Sequence, residues 1–130
     1  MATIYKKMKV NAPVDQVWNK VSDVGAVSGL LNIISESHVE GDKRLCTTAD
    51  GQTIKEKIVS VDNNLKRVSY TITESPFGLD FHTSSWHVTP EGNGTVVKWF
   101  TDVKPDSAAD MMNEIFDSEL ENITKGLGDK

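Results

Sequence analysis

A single cysteine in 130 residues leaves no partner for an internal disulfide. A lone Cys46 fits a reducing compartment, so a cytoplasmic location is expected. Cations are the minority charge: 14 Lys and Arg stand against 19 Asp and Glu, for a net −5. Nucleic-acid binding rests on clustered Lys and Arg against phosphates. The balance therefore argues against a nucleic-acid partner, and against an anionic membrane surface. Long apolar runs are missing as well. The longest mostly apolar stretch, residues 24–34, contains Ser28 and Asn32. It is far short of the roughly 20 residues that span a bilayer. The N-terminal Met1-Ala2-Thr3-Ile4-Tyr5-Lys6-Lys7-Met8 carries early charge with no apolar segment after it, so no signal peptide is read. A soluble chain with no membrane insertion is expected. There is no internal repeat, low-complexity tract or linker. No His, Asp or Glu grouping has metal-ligand spacing, so no metal site is expected, and no cofactor fingerprint is present. Gly92-Asn93-Gly94 reads as a turn rather than a phosphate loop, because no helix follows it.

What is present is ordinary globular composition, 38% hydrophobic and 25% charged. The length fits one domain over residues 1–130. A chain of this size buries about two-thirds of the surface its unfolded form exposes, enough for a core without staples.

The order of elements is informative. Residues 3–11 alternate as a strand. Pro13 stands where a first helical residue would, and Val14, Val17, Trp18 and Val21 follow at helical spacing. Residues 13–22 therefore read as a short amphipathic helix, and 24–31 as a second one broken by Gly25 and Gly29. Turn signals then recur at Gly41-Asp42, Asp50-Gly51, Asn63-Asn64 and Glu91-Gly92-Asn93-Gly94. They delimit strands near 34–40, 43–49, 53–61, 66–74, 81–89 and 95–103. A last helix near 106–127 carries Met111, Met112, Ile115, Phe116, Leu120, Ile123 and Leu127 as one apolar stripe, with Gly126 or Gly128 suited to its end. Met112, Ile115, Phe116 and Ile123 are expected to be buried. Successive hairpins build an antiparallel meander that curls as its strands twist. Only the last helix is long enough to cover its apolar face. The fold class is α+β, a curved antiparallel sheet of about seven strands wrapped on a long C-terminal helix.

Glu56 lies between Ile54 and Ile58 at period two, while Lys55 and Lys57 occupy the other face. It is expected to point into the apolar interior, where a carboxylate is costly unless paired or protonated. Such a group suits general acid–base work or ligand contact, and equally a structural glutamate satisfied by hydroxyls or by Arg44. Arg44 is its natural counter-charge or else a surface arginine. A two-residue turn at Asp50-Gly51 sets Leu45 opposite Glu56. A three-residue loop with a bulge sets Cys46 there and turns Arg44 to the same face. His82 shares a face with Ser84, Trp86 and Val88, as a ligand contact, proton shuttle or polar rim residue. Tyr70 is in phase with Val68 and Ile72, and Trp99 with Val97 and Thr101, so both are expected to line the interior. Trp86, with Met112 and Phe116 on the last helix, completes the candidate ligand wall. His38 and His87 sit on strands without a partner pattern. Cys46 reads as a buried structural thiol rather than a nucleophile.

Several segments together resemble one superfamily. They are residues 41–46, Asp50-Gly51, residues 54–62, residues 67–72, Ser75-Pro76-Phe77, Val88-Thr89-Pro90 and residues 94–99, with the opening residues 10–18. In order and spacing they are similar to the START, birch-pollen-allergen and polyketide cyclase/dehydrase-like proteins, and the likeness covers nearly the whole chain. The resemblance implies the helix-grip fold. It also favours the register that turns Arg44 inward. It leaves function open, because that superfamily includes lipid carriers, hormone receptors, cyclases and isomerases. The positions of Arg44 and Glu56 look like those of an arginine and a glutamate on neighbouring strands in the plant lachrymatory-factor synthase branch. The chain departs from the family in having Leu30-Leu31-Asn32-Ile33-Ile34 where Trp-x-Pro is frequent. The function expected is binding of an apolar small molecule (a lipid, a polyketide or a similar ring compound) by a monomer or homodimer. The alternatives are an enzyme of cyclase, dehydrase or isomerase type using Glu56 as general acid or base with Arg44, and a protein-interaction domain with a filled cavity.

Overall fold

The computed structural model describes residues 1–129. Its elements run β1 (Ala2–Val10), α1 (Val14–Val21), a 3₁₀ helix (Val24–Gly29), β2 (Ile34–Glu40), β3 (Lys43–Thr48), β4 (Thr53–Asp62), β5 (Arg67–Glu74), β6 (Phe81–Glu91), β7 (Gly94–Lys104) and α2 (Ser107–Gly128). All seven strands form one curved antiparallel sheet in the order β1-β7-β6-β5-β4-β3-β2. The expected helix-grip architecture is therefore the one observed. β2 to β7 form the meander, and β1 crosses to pair with β7 from Ala2↔Val103 to Val10↔Thr95.

The period of two is clearest on β6 and on most of β7. In β6, His82, Ser84, Trp86 and Val88 are buried, while Phe81, Thr83, Ser85 and His87 face outward. In β7, Val97, Trp99, Thr101 and Val103 are buried on the same side. The main core joins Met8, Val10, Val17, Trp18, Val68, Trp86, Val88, Trp99, Ile123 and Leu127. It lies between the inner face of the sheet, α1 and α2. Burying a side chain of Leu or Val size stabilises by about 1.5–3 kcal/mol, so this seam dominates what holds α2 on the sheet.

Three local expectations are corrected. Pro13 is the N-cap rather than the first helical residue: its ψ of 149° is extended, and its carbonyl accepts from the Val17 N–H at 3.2 Å. Of the two glycines suited to the end of α2, Gly126 lies inside it and Gly128 is its last residue, with Asp129 as the cap. The apolar stripe of α2 is narrower than its composition suggests. Met112, Ile123 and Leu127 are buried, Ile115 and Phe116 are half-buried, and Met111 is exposed. The buried carboxylate Glu119 shares the stripe and accepts from the Ile33 N–H at 3.4 Å.

The hairpin β3–β4 decides which side chains meet. Thr48 N–H donates to Gln52 O at 2.8 Å and Gly51 N–H to Thr48 O at 2.9 Å. The loop is thus Ala49-Asp50-Gly51, with Gly51 at φ +87° in the left-handed region that glycine tolerates. That register sets Arg44 opposite Glu56 and Cys46 opposite Ile54. The expectation of Cys46 or Leu45 opposite Glu56 is corrected. A loop starting one residue earlier shifts the partner by two, which preserves the face and replaces the neighbour.

Candidate functional site

Strands β2 to β7 and α2 converge on a cavity of about 70 Å³. Its apolar wall comes from Leu31, Ile33, Ile54, Ile72, Phe77, Met112, Ile115 and Phe116, and its polar residues are Arg44, Cys46, Glu56, Tyr70 and His82. Leu31, Ile33, Phe77, Ile115 and Phe116 are half-buried and form its outer rim. A second, smaller space of about 20 Å³ is lined by Val21, Val24, Leu30, Val68 and Trp86. Val27, Arg44 and Tyr70 line both, so the Arg44–Tyr70 pair stands between them. A wider groove of about 890 Å³ lies outside β2–β4 beside exposed Lys43, Lys55, Lys57, Glu40 and Asp42. Its charged lining marks it as solvent-filled surface relief, so the apolar interior cavity is the candidate site.

The polar wall is a connected set. Arg44 Nε donates to Glu56 Oε1 at 2.8 Å, and the two side chains are only 4% and 8% exposed. Arg44 Nη1 donates to the Val24 carbonyl at 3.0 Å, which ties β3 to the 3₁₀ helix. The guanidinium carbon lies 4.6 Å from the centre of the Tyr70 ring, a cation–π contact. Burial opposes the Arg44 charge, but Glu56 outweighs it and holds the guanidinium above its ordinary pKa. Cys46 Sγ also donates to Glu56 Oε1, at 3.4 Å. Burial and then the Glu56 charge push the thiol up to about 12. Cys46 is therefore a protonated donor rather than a nucleophile, as its sequence context suggests. Among the described residues, Glu56 Oε2 has no hydrogen-bond partner, and Glu56 borders both the cavity and the outer groove.

His82 is 2% exposed, and its Nδ1 accepts the Ile72 N–H at 2.9 Å. That bond fixes the tautomer: the neutral ring carries its proton on Nε2. Burial, with a smaller contribution from Arg44, depresses the imidazole to about 4. A neutral Nε2–H donor and a carboxylate acceptor thus share one cavity. Burial first and Glu56 second raise the Tyr70 phenol.

Of the ligand-contact candidates, Tyr70, His82, Trp99, Met112 and Phe116 line the main cavity together with Arg44 and Glu56. Trp86 does not: it faces the smaller space, its ring 4.8 Å from that of Trp99. Trp99 stacks on Phe116 at 4.0 Å and donates Nε1–H to Ser84 Oγ at 2.9 Å, and Ser84 also reaches Thr101 Oγ1 at 2.9 Å. Sequence reasoning passed over Ser84 as a partner, although its phase with Trp86 was legible. It also passed over Phe77, Leu31 and Ile33, which lie on irregular segments without periodicity.

The family model described as polyketide cyclase / dehydrase and lipid transport matches residues 1–129, and the chain belongs to that family. Among solved structures, an uncharacterized protein from Bacillus thuringiensis is 21% identical with a TM-score of 0.88, over 98% of this chain and 100% of that one. Norcoclaurine synthase from Thalictrum flavum is 21% identical with a TM-score of 0.73, over 98% and 84%. A START superfamily protein from Mycobacterium smegmatis is 13% identical with a TM-score of 0.76, over 97% and 94%. At these identities the likeness is one of fold. No curated protein matches the sequence. No helix among the described residues is long and apolar enough to cross a membrane.

Proposed function

We propose that the chain binds an apolar small molecule, a lipid, polyketide or ring compound, in the cavity between the sheet and α2. One observation carries this reading: an apolar-walled cavity is lined by His82 and Glu56, whose Nε2–H and Oε2 make no hydrogen bond among the described residues. Those two atoms would orient a ligand bearing one polar group while Tyr70, Trp99, Met112 and Phe116 enclose its apolar part. At about 70 Å³ the cavity is smaller than the roughly 150 Å³ that takes a benzene ring, so as it stands it admits only a few atoms of a guest. A larger guest requires the half-buried rim of Phe77, Ile115 and Phe116 to move outward.

An enzymatic use of the same cavity is the second reading, favoured by Glu56 standing on the wall beside a second proton-bearing group. Glu56 would act as general acid or base, with Arg44 stabilising its charge, in a cyclisation, dehydration or isomerisation.

Native mass spectrometry of protein purified from its own host tests the binding reading, with titration of tryptophan emission by apolar probes of several shapes. A co-purified small molecule, or a saturable change in emission lost in His82→Phe, is the expected result. An empty protein with no response to any probe would point instead to an interaction domain with a filled interior.

A further inference from the structure

The outer face of the sheet carries a feature that the cavity does not use. Across four neighbouring strands the register aligns Lys7 with Lys98, Lys98 with His87, and His87 with Arg67. At about 4.8 Å per strand this row of basic side chains is roughly 14 Å long. Like charges directly opposite each other destabilise a sheet. Yet among the described residues, Lys7, Lys98 and Arg67 form no ion pair. Asp62 stands opposite Arg67, but its Oδ1 is taken by the Asn64 and Leu65 N–H groups. Burial, then Arg67 and Lys98, hold His87 below its ordinary pKa.

The adjoining row begins with Tyr5 and Phe100, register partners whose rings stack at 4.8 Å and 29° and remain 45% and 37% exposed. The same row continues through Ser85 to Ser69, whose buried hydroxyl has no hydrogen-bond partner. On the opposite side of the molecule, α2 exposes Asp110, Glu114, Asp117 and Glu121 along one face. The net charge of −5 therefore conceals a local separation of charge, a basic row on the sheet and an acidic face on α2 from Asp110 to Glu121, where Asp117 pairs with Lys6.

We propose that this outer sheet face docks on an anionic lipid bilayer. The separated charges orient the chain sheet-first toward a negative surface. Each unpaired basic side chain near such a surface adds about fivefold in affinity. Tyr5 and Phe100 supply the exposed aromatic pair that settles at headgroup level. Their mutual stacking occupies one face of each ring, which leaves less aromatic surface for a stacked base and favours lipid over a single strand.

The test is co-sedimentation of the full chain with vesicles of phosphatidylcholine alone and of phosphatidylcholine containing one-third phosphatidylserine. Binding is expected only to the anionic vesicles, with release at high salt. Lys7→Glu with Lys98→Glu is expected to weaken it by about tenfold or more. Lys43→Glu with Lys125→Glu changes the net charge equally at exposed positions off the row and is expected to weaken it much less. Thermal melts of each variant verify folding, and the salt dependence of the unaltered chain tests the proposal without any variant. Absence of binding, equal binding to neutral vesicles, equal losses in the two double variants, or tighter binding to a single-stranded oligonucleotide would each overturn it. Concentration-dependent sedimentation without vesicles would overturn it in favour of a second copy presenting the acidic face of α2.

Discussion

Arg44 and Glu56 face each other as register partners on β3 and β4, joined by a 2.8 Å bond at the edge of an apolar cavity. Neither charge is well reached by water, so each depends on the other. Removing one partner of a buried pair typically costs about 3–5 kcal/mol, because the survivor is left uncompensated. Glu56→Gln and Arg44→Met are each expected to lose stability of that order. The double variant is expected to lose much less than the sum. Urea melts of the four proteins measure the coupling; additive losses would mean that the pair does not act as a unit.

His82 gives the fold a pH dependence with a definite sign. Its imidazole titrates near 4 when folded against an ordinary 6.5. The unfolded chain therefore takes up a proton first as pH falls. Stability is complete above about 6.5, declines through the interval and levels off below about 4, for a total near 3 kcal/mol. His82→Phe removes this titration. Melts at several pH values should show a shallower acid loss in the variant than in the parent.

The Cys46 thiol is 1% exposed and pushed up to about 12. It should resist alkylation in the folded protein at pH 8 and react promptly in denaturant. Rapid modification of the native chain would mean that the β3–β4 edge of the cavity opens readily.

Ser84 connects Trp99 and Thr101 within the core. Ser84→Ala strands the indole N–H, with an expected cost of about 1–3 kcal/mol. Thermal melts check the loss, and a shift in tryptophan emission should accompany it.

Phe116 closes the rim and stacks on Trp99. Phe116→Ala should enlarge the cavity at a cost of about 2 kcal/mol, less than for a fully buried ring. It should also raise affinity for bulkier apolar probes, measured by fluorescence titration. Unchanged affinity across probe sizes would place binding elsewhere.

Most of the architecture was legible because turn residues and period-two runs recur along the chain. The inward direction of Glu56 followed from Ile54 and Ile58 alone. Arg44 was legible as its counter-charge, but the register that sets them opposite was not, because a loop at 49–51 and a loop at 50–52 fit the same residues, and only backbone hydrogen bonding distinguishes them. Trp86 was legible as buried, but twist across the sheet decides which interior space it meets. Glu119 was hidden because a charged residue on a helix reads as solvated. The basic row was hidden for a different reason: Lys7, Arg67, His87 and Lys98 are scattered in sequence, and only strand order brings them together.

The pairing of β1 with β7 also bears on how the chain is made. During synthesis β7 emerges about 90 residues after β1, a wait of roughly 5–20 s at ordinary ribosomal rates. Until then Ile4, Met8 and Val10 lack the strand that finally covers their backbone. Strand β1 is thus made well before the strand that secures it. A nascent chain stalled before residue 94 should engage holdase chaperones through its N-terminal strand.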